Sequence, residues 1–208
     1  MKIIKISERN HSAIVKQAVA VLKRGGVIVY PTETAYGLGA DFFNPRAIKK
    51  IYQIKGRQYK KPLSVIVSDF KMAGQLVKFD KSSLRLAKKY WPGPLTLIVK
   101  NTGLRISSNK LATGIVKKLQ HPISATSANL TGRGEFYSAP EVIKQFNKKK
   151  HQPDLIIDAG RLPKNKVSTV AQVVGDKIKI LRKGQIVILE GASPSSSEAR
   201  RPIESRLK

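Results

Sequence analysis

The chain has 208 residues, 41% of them hydrophobic, and its 40 Lys and Arg against 13 Asp and Glu give a formal net charge of +27. No apolar run reaches the roughly 18 residues of a membrane span, and the N-terminal segment lacks the apolar stretch of a signal peptide. The lack of cysteine excludes disulfides, zinc–thiolate sites and a thiol nucleophile. We therefore expect a cytoplasmic protein without membrane association. The charge is typical of proteins that bind nucleic acids or nucleotides, although a basic proteome or a solubilising lysine surface explains it equally well.

Short β-branched runs alternate with amphipathic segments, and this alternation predicts an α/β fold. Two helix starts have local support, because Asn44 precedes Pro45 as an N-cap would and Ser138 precedes Glu141 with capping-box spacing. The predicted helices are residues 12–24, 44–54, 82–90, 109–119 and 138–147. The predicted strands are residues 27–30, 63–67, 95–99, 123–125, 155–157, 169–174, 178–181 and 186–189.

The last two predicted strands lie on either side of the short segment RKGQ, which favours a hairpin and hence a mixed sheet. Beyond Glu190 the chain is rich in Ser, Pro and charged residues and shows no periodic apolar face. We therefore predict one folded domain over residues 1–190 and a disordered polar tail over residues 191–208.

Residues 31–40, PTETAYGLGA, directly follow the apolar run VIVY and contain two glycines one residue apart. A dinucleotide-binding fingerprint would need a third glycine where Phe42 stands, and a Walker A loop would need Gly-Lys-Ser/Thr. Neither phosphate-binding motif fits. The segment is instead interpreted as a strand-to-loop turn whose glycines let the backbone approach a pocket.

The sequence offers few groups for covalent or metal-dependent catalysis. Its three histidines lie far apart without metal-ligand spacing, and no Gly-x-Ser-x-Gly elbow is present. Because acidic residues are also scarce, an enzyme of this composition would work by positioning substrates and neutralising charge.

Three further segments combine polar groups with the ends of predicted elements. Lys55 and Arg57, in KGR, follow a predicted helix, where the helix dipole alone would also favour cations. Residues 124–129, SATSAN, continue a predicted strand and would serve equally as a hydroxyl-rich turn. The single tryptophan, Trp91 in WPGPLTLIV, is expected to pack in the core.

Taken in order, these segments resemble the YrdC/TsaC-type threonylcarbamoyl-AMP synthase family. The resemblance covers residues 3–184 and rests on GGVIVYPTETAYGLGAD, IYQIKGRQYKKPLSVIV, WPGPLTLIV, PISATSANLTG, DLIIDAG, STV and ILRKG. It implies the short, single-domain form, with a twisted sheet flanked by helices and a concave basic groove. The implied reaction condenses L-threonine, bicarbonate and ATP to threonylcarbamoyl-AMP and pyrophosphate, the first step towards N6-threonylcarbamoyladenosine in tRNA.

The resemblance also implies nucleotide-side roles. A catalytic group that contacts the phosphates would comprise Lys55, Arg57, Ser127 and Asn129. Further ATP contacts would come from Lys61 and Arg182. Arg suits bidentate oxyanion contacts and Lys acts as a point charge. Mg²⁺ would be carried by the triphosphate and held largely by phosphate and water, so no protein metal site is expected.

On the amino-acid side, the resemblance implies that Thr34, Arg105 and Ser168 bind L-threonine, with Arg105 pairing with the substrate carboxylate. Hydroxyl groups suit threonine because a site that hydrogen-bonds the substrate hydroxyl leaves groups unpaired when valine binds.

The chain departs from the family pattern in a few places. KNTGLR reaches Arg105 by a shorter connection than family members have, LRIS and LRKG stand where Val-Arg-x-Pro and Leu-Arg-Pro-Gly are usual, and Val167 replaces a frequent acidic residue. These differences concern nucleotide contacts and loop closure.

Two alternatives stay open. An RNA- or ribosome-binding module would use the basic groove to bind phosphate backbone, although the aromatic residues are scattered. A carbamoyl-transfer domain of the hydrogenase-maturation type would normally accompany zinc-finger and acylphosphatase regions, which this sequence lacks. Besides its substrates, the synthase interpretation predicts tRNA or RNA contact through the groove and downstream threonylcarbamoyl-transferase proteins as partners.

Overall fold

The computed structural model describes residues 1–7, 9–59, 62–174 and 177–188. Within these ranges, no helix is both long and apolar enough to cross a bilayer. The helices are α1 (His11–Lys23), α2 (Pro45–Lys55), α3 (Phe70–Leu76), α4 (Lys81–Tyr90), α5 (Lys110–Leu119) and α6 (Ala139–Phe146). The strands are β1 (Lys2–Lys5), β2 (Ile28–Pro31), β3 (Tyr36–Gly39), β4 (Ser64–Ile66), β5 (Leu95–Val99), β6 (Thr102–Arg105), β7 (Ile123–Ser127), β8 (Leu155–Asp158), β9 (Thr169–Val174) and β10 (Lys177–Arg182).

The ten strands of the described chain form one mixed sheet in the order β1-β8-β2-β3-β7-β4-β6-β5-β9-β10. Parallel pairing joins β1 and β2 to β8, β4 to β6, and β5 to β9. The remaining neighbours pair antiparallel. This arrangement confirms the predicted α/β fold with a mixed sheet flanked by helices.

In the first half of the sheet, which contains β2, helices cover both faces. Successive side chains of a strand point to opposite sides, so each strand here can pack against helices on either face. Ile28 and Tyr30 of β2 pack with α1 and α5. Val29, between them, packs with α2 and α6 on the other face. Strands buried on both faces have a continuous apolar sequence, which is why the run VIVY predicted a strand.

In the second half of the sheet, which contains β5 and β6, α3 and α4 lie on one face. There they pack against Leu95, Leu97 and Leu104. The neighbouring residues Thr96 and Arg105 point to the opposite face and line a cavity. The same strands therefore supply both a core and the wall of a site.

Local chemistry at the helix ends matches the sequence. The Asn44 side chain accepts a hydrogen bond of 3.1 Å from a first-turn N–H of α2, and Pro45 occupies the first helical position. At α6, the N–H and hydroxyl of Ser138 both donate to Glu141. Both predicted N-caps are confirmed. Gly56, with φ 58°, ends α2 in the left-handed conformation.

The segment 31–40 differs from the predicted turn. Residues 36–39 form β3, which pairs antiparallel with β2. A Cβ atom on Gly39 would lie 2.7 Å from the Tyr30 ring and 3.0 Å from the Ser124 carbonyl oxygen, and one on Gly37 would lie 3.0 Å from the same ring. The two glycines therefore make room for Tyr30 across the strand pair, and the turn interpretation is wrong for these four residues.

The C-terminal hairpin forms one strand earlier than predicted, between β9 and β10. Residues 186–188 lie outside every strand, so the predicted strand 186–189 is wrong for them, and Leu189 lies outside the described residues. Ile188 is nevertheless buried in the core of the second half, which accounts for the apolar pattern. The predicted boundary at residue 190 and the tail 191–208 also lie outside the described residues, so the division into domains stays a prediction.

Four elements had no counterpart in the predicted set: β1, β3, β6 and α3. Trp91 packs in the core of the second half, as predicted, and its indole N–H donates to the Leu95 carbonyl at 2.8 Å. This bond holds the start of β5, and with it the strand that carries Thr96 into the cavity.

Candidate active site

A cavity of about 240 Å³ lies on the face of the sheet opposite α3 and α4. Of the nine predicted site residues, six line it: Thr34, Arg57, Arg105, Ser127, Ser168 and Arg182. Lys55 and Asn129 are not in its lining but contact Ser127. Lys61 lies outside the described residues. The structure thus brings together side chains that lie up to about 150 positions apart in the sequence.

Thr34 and Arg105 are neighbours in the cavity. Arg105 Nη1 donates to Thr34 Oγ1 at 3.5 Å. Thr32 donates its single hydroxyl hydrogen to the Ala35 carbonyl at 2.7 Å. The Thr34 hydroxyl lies 2.9 Å from Thr32 Oγ1, which also accepts from the Thr34 and Ala35 backbone N–H groups at 3.2 Å. Thr34 consequently presents its hydroxyl, as well as the contact with Arg105, to a ligand in the cavity.

Glu33 lies behind Arg105. Its Oε1 is 3.8 Å from Arg105 Nε, its Oε2 accepts a short hydrogen bond from the Ser107 hydroxyl, and its backbone carbonyl accepts from Asn165 Nδ2 at 3.0 Å. Among the described residues, Glu33 Oε1 and Arg105 Nε are buried and have no hydrogen-bond partner. Two oppositely charged groups therefore face each other slightly beyond hydrogen-bond distance.

Ser168 and Arg182 form one unit with Thr96. Arg182 Nη2 donates to Ser168 Oγ at 2.8 Å and its Nε donates to the Ser168 carbonyl at 3.0 Å. The Ser168 and Thr96 hydroxyls lie 3.0 Å apart. The resemblance implied a nucleotide role for Arg182 and a threonine role for Ser168, and their direct contact means that any ligand of one will lie near the other.

Arg57 leaves the end of α2 and reaches the cavity from the side of β4. Its Nη2 donates to the Pro62 carbonyl at 3.2 Å, and its guanidinium carbon lies 5.8 Å from the centre of the Tyr52 ring. Its Nε is buried without a hydrogen-bond partner in the part of the chain that the structure describes. The remaining N–H groups leave this arginine with donors for an anion.

Lys55 is 4% exposed and donates all three ammonium hydrogens to protein oxygens. The acceptors are the Ser127 carbonyl at 2.7 Å, the Asn129 carbonyl at 2.8 Å and Asn129 Oδ1 at 2.9 Å. Burial, reinforced by the nearby Arg57 charge, lowers the pKa of Lys55 to about 8, while Glu135 opposes the shift. Lys55 thus holds the loop that follows β7.

Asn129 extends these hydrogen bonds further along the loop. Its Nδ2 donates to the Arg133 carbonyl in a short hydrogen bond and to the Gly134 carbonyl at 2.9 Å. The Ser127 hydroxyl donates to Asn129 Oδ1 at 2.7 Å. The result is a connected set of bonds from α2 to the backbone next to Glu135, which lines the cavity.

Several lining residues were not predicted from the sequence, among them Tyr30, Thr96 and Glu135. Thr96 had a signal, because it is the single polar residue of the apolar strand LTLIV. Burial raises the pKa of Tyr30, so its phenol stays neutral. Glu135, the one carboxylate in the described lining, stood in a loop without a periodic pattern and gave no signal.

The family model Sua5/YciO/YrdC, described as "Telomere recombination", matches residues 20–184. The chain belongs to the Sua5/YciO/YrdC family. This confirms the resemblance derived from the sequence motifs, and the match spans every lining residue of the cavity.

Named relatives of this family align along most of the chain. A Methanocaldococcus jannaschii protein provisionally named threonylcarbamoyl-AMP synthase is 32% identical over 204 residues, covering 90% of this chain and 95% of that protein. Threonylcarbamoyl-AMP synthase of Pyrococcus abyssi is 30% identical over 203 residues, covering 90% of this chain and 59% of that protein. The crystal structure of P. abyssi Sua5 complexed with L-threonine is 31% identical with a TM-score of 0.81, and the match covers 88% of this chain and 58% of that chain. The chain therefore spans less than two thirds of the P. abyssi protein.

Proposed function

We propose that this chain is an L-threonylcarbamoyladenylate synthase, which condenses L-threonine, bicarbonate and ATP to threonylcarbamoyl-AMP and pyrophosphate for N6-threonylcarbamoyladenosine formation in tRNA. The observation that carries the proposal is the cavity, which collects three arginines and several hydroxyls on the face opposite α3 and α4. Relatives named for this activity, and an L-threonine complex of one family member, support it. They favour the synthase over an RNA- or ribosome-binding module.

In the proposed site, Thr34, Arg105 and Ser168 bind L-threonine. The Arg105 guanidinium offers paired N–H donors to the substrate carboxylate. The Thr34 hydroxyl can accept from the N–H groups of the amine or carbamate. The Ser168 hydroxyl is buried beside Thr96 and is a partner for the substrate hydroxyl, which would discriminate against valine.

The phosphates would be bound by Arg57, Ser127 and Arg182, which line the same cavity. Lys55 and Asn129 would support them from behind by holding the loop that carries Ser127. Lys61 is proposed as an additional ATP contact. Mg²⁺ on the triphosphate would neutralise phosphate charge, and Glu135 is the carboxylate of the lining that could contact its water shell.

The chemistry requires two bonds to form in order. Bicarbonate loses hydroxide to give CO₂, and the neutral threonine amine attacks its carbon, opening one C=O bond and giving up a proton that leaves with the hydroxide as water. A carbamate oxygen then attacks the α-phosphorus while pyrophosphate leaves with the electron pair of the broken P–O bond. The arginines stabilise the charge on the transferred and departing phosphates. In the proposed site the cavity wall would hold carbamate and α-phosphate in line, and such positioning lowers the barrier to transfer.

Other parts of the prediction are proposed on the family relationship. They are the concave basic groove, its contact with tRNA or RNA, delivery of the adenylate to downstream threonylcarbamoyl-transferase proteins, and a cytoplasmic location. The excess positive charge of the chain supports contact with a polyanion.

The decisive experiment measures pyrophosphate release from ATP with each component omitted in turn. We expect release to require both L-threonine and bicarbonate, with L-valine a poor substitute. We also expect Arg57→Ala to lower turnover by about 10², the usual loss for one preorganised charge contact. Release that continues unchanged without L-threonine or without bicarbonate would contradict the proposed function.

A further inference from the structure

The three arginines of the cavity differ in their surroundings. Arg105 has a carboxylate within 4 Å, that of Glu33. Arg57 and Arg182 have none among the described residues, and their hydrogen bonds go to the Pro62 carbonyl and to Ser168. The Glu33–Arg105 pair is therefore close to neutral, whereas the other two arginines have no carboxylate of the described residues in direct ion-pair contact, and Glu135 acts on Arg182 only at longer range.

Glu33 is held from two sides. The Ser107 hydroxyl donates to Oε2, and Asn165 Nδ2 donates to the backbone carbonyl. Oε1 is thereby directed at Arg105 Nε, 3.8 Å away, and neither of these two buried atoms has another hydrogen-bond partner in the described chain. A shift of the guanidinium by about 1 Å would bring the pair to ordinary hydrogen-bond distance.

We propose that Glu33 is a positioning residue that orients Arg105 for the substrate carboxylate and, by neutralising it, keeps phosphate groups away from that end of the cavity. The inference rests on the proposed function, because it concerns how the same site distinguishes its two anionic substrates. With Nε turned towards Glu33, the two Nη groups remain for a bidentate contact. A carboxylate accepts that contact readily, and the more highly charged triphosphate is drawn to Arg57 and Arg182.

The primary variant is Glu33→Gln. Its amide can still accept from Ser107 through oxygen, but the NH₂ group then faces the Nε–H of Arg105, donor against donor. We expect the Kd and KM for L-threonine to rise about tenfold or more, as misplacement of a binding group commonly causes. The KM for ATP should change less than about twofold, since the cation at Arg105 is retained. Pyrophosphate should become a competitive inhibitor against L-threonine.

A double-mutant cycle separates positioning from a general structural effect. If Glu33 acts through Arg105, then Glu33→Gln should change L-threonine affinity by less than about twofold in an Arg105→Lys background. Glu135→Gln is the matched control, because it removes the same charge from the same cavity at a position that does not contact Arg105. It should not reproduce the selective loss for L-threonine. Binding is measured by calorimetry and KM by pyrophosphate release, with thermal unfolding monitored throughout.

The possible results distinguish failure of the Glu33 inference from failure of the proposed synthase function. Wild-type affinity for L-threonine in Glu33→Gln, parallel losses for L-threonine and ATP, or independent effects in the cycle would overturn the inference while leaving the synthase function intact. A wild-type protein that neither binds L-threonine nor requires it for pyrophosphate release would refute the proposed function itself, and the inference with it. If Glu33→Gln does not fold, Ser107→Ala, which frees Oε2, should show the same selective loss to a smaller extent, and a Ser107→Ala protein without that loss would equally overturn the inference.

Discussion

Lys55→Met tests whether Lys55 is mainly an anchor of the loop after β7. Methionine is similar in length and shape but donates no hydrogen bond. The change removes three bonds of 2.7, 2.8 and 2.9 Å and leaves the oxygens of Ser127 and Asn129 buried without those donors. A hydrogen bond to a charged group contributes about 1.5–3 kcal/mol, and bonds that share one donor group do not add fully. Each buried acceptor left unsatisfied costs about 1–3 kcal/mol, so we expect the free energy of unfolding to fall by about 3–5 kcal/mol.

Urea unfolding measures this loss, and Lys49→Met is the matched control because Lys49 lies on the same helix and is exposed. The control should change the free energy of unfolding by less than about 0.5 kcal/mol. A Lys55→Met protein as stable as the control would refute the anchoring argument and leave Lys55 as a phosphate ligand alone.

Two further predictions concern the packing at β3 and the titration of Lys55. Gly39→Ala should lower the free energy of unfolding by about 1–3 kcal/mol because its Cβ would overlap the Tyr30 ring. The control is Gly74→Ala in α3, where a Cβ would meet no atom within 4 Å, and it should be neutral or stabilising by up to about 1 kcal/mol. Equal stabilities of the two variants in urea unfolding would contradict the close approach of Gly39 to Tyr30. Because the pKa of Lys55 is lowered from 10.5 to about 8, ATP affinity measured by calorimetry should weaken as pH rises through about 8 and the cation is lost. A depressed lysine pKa also means that the unfolded chain binds the proton more tightly, so this group should raise the unfolding free energy between pH 8 and 10.5. Neither effect should remain in Lys55→Met.

The elements predicted correctly from the sequence are those whose residue types depend on local structure and burial. Strand β5 was predicted with its observed bounds, since LTLIV is both β-branched and apolar, and the N-caps of α2 and α6 came from single residues that bond to the nearest backbone. β3 was not predicted, because its two glycines are usual in turns. Their role depends on Tyr30, a residue of the neighbouring strand. Local patterns cannot contain that information.

In the candidate site, too, some features were predicted from local sequence and others depend on tertiary packing. The motifs indicated Arg57, Arg105 and Arg182, and the fold places all three in one cavity. The motifs did not indicate that Lys55 directs its ammonium group into the loop rather than into the cavity. They also gave no reason to select Glu33, because its importance arises from a distance to a strand more than 70 positions away. Residue types can be predicted from a motif, but the direction of a side chain depends on tertiary packing.

The net charge of +27 was the first unusual feature of the sequence, yet it contributes little to the proposed chemistry. Exposed lysines act on a ligand across water and salt, which largely screen their charge beyond about 10 Å. Arg105 is different, because its side chain is 8% exposed and the medium around it is less polarisable. A single carboxylate, Glu33, can therefore change its preference for one anion over another, whereas removing one surface lysine would leave that preference unaltered. Selectivity between carboxylate and phosphate is thus decided by the few charges held inside the cavity, and not by the overall excess.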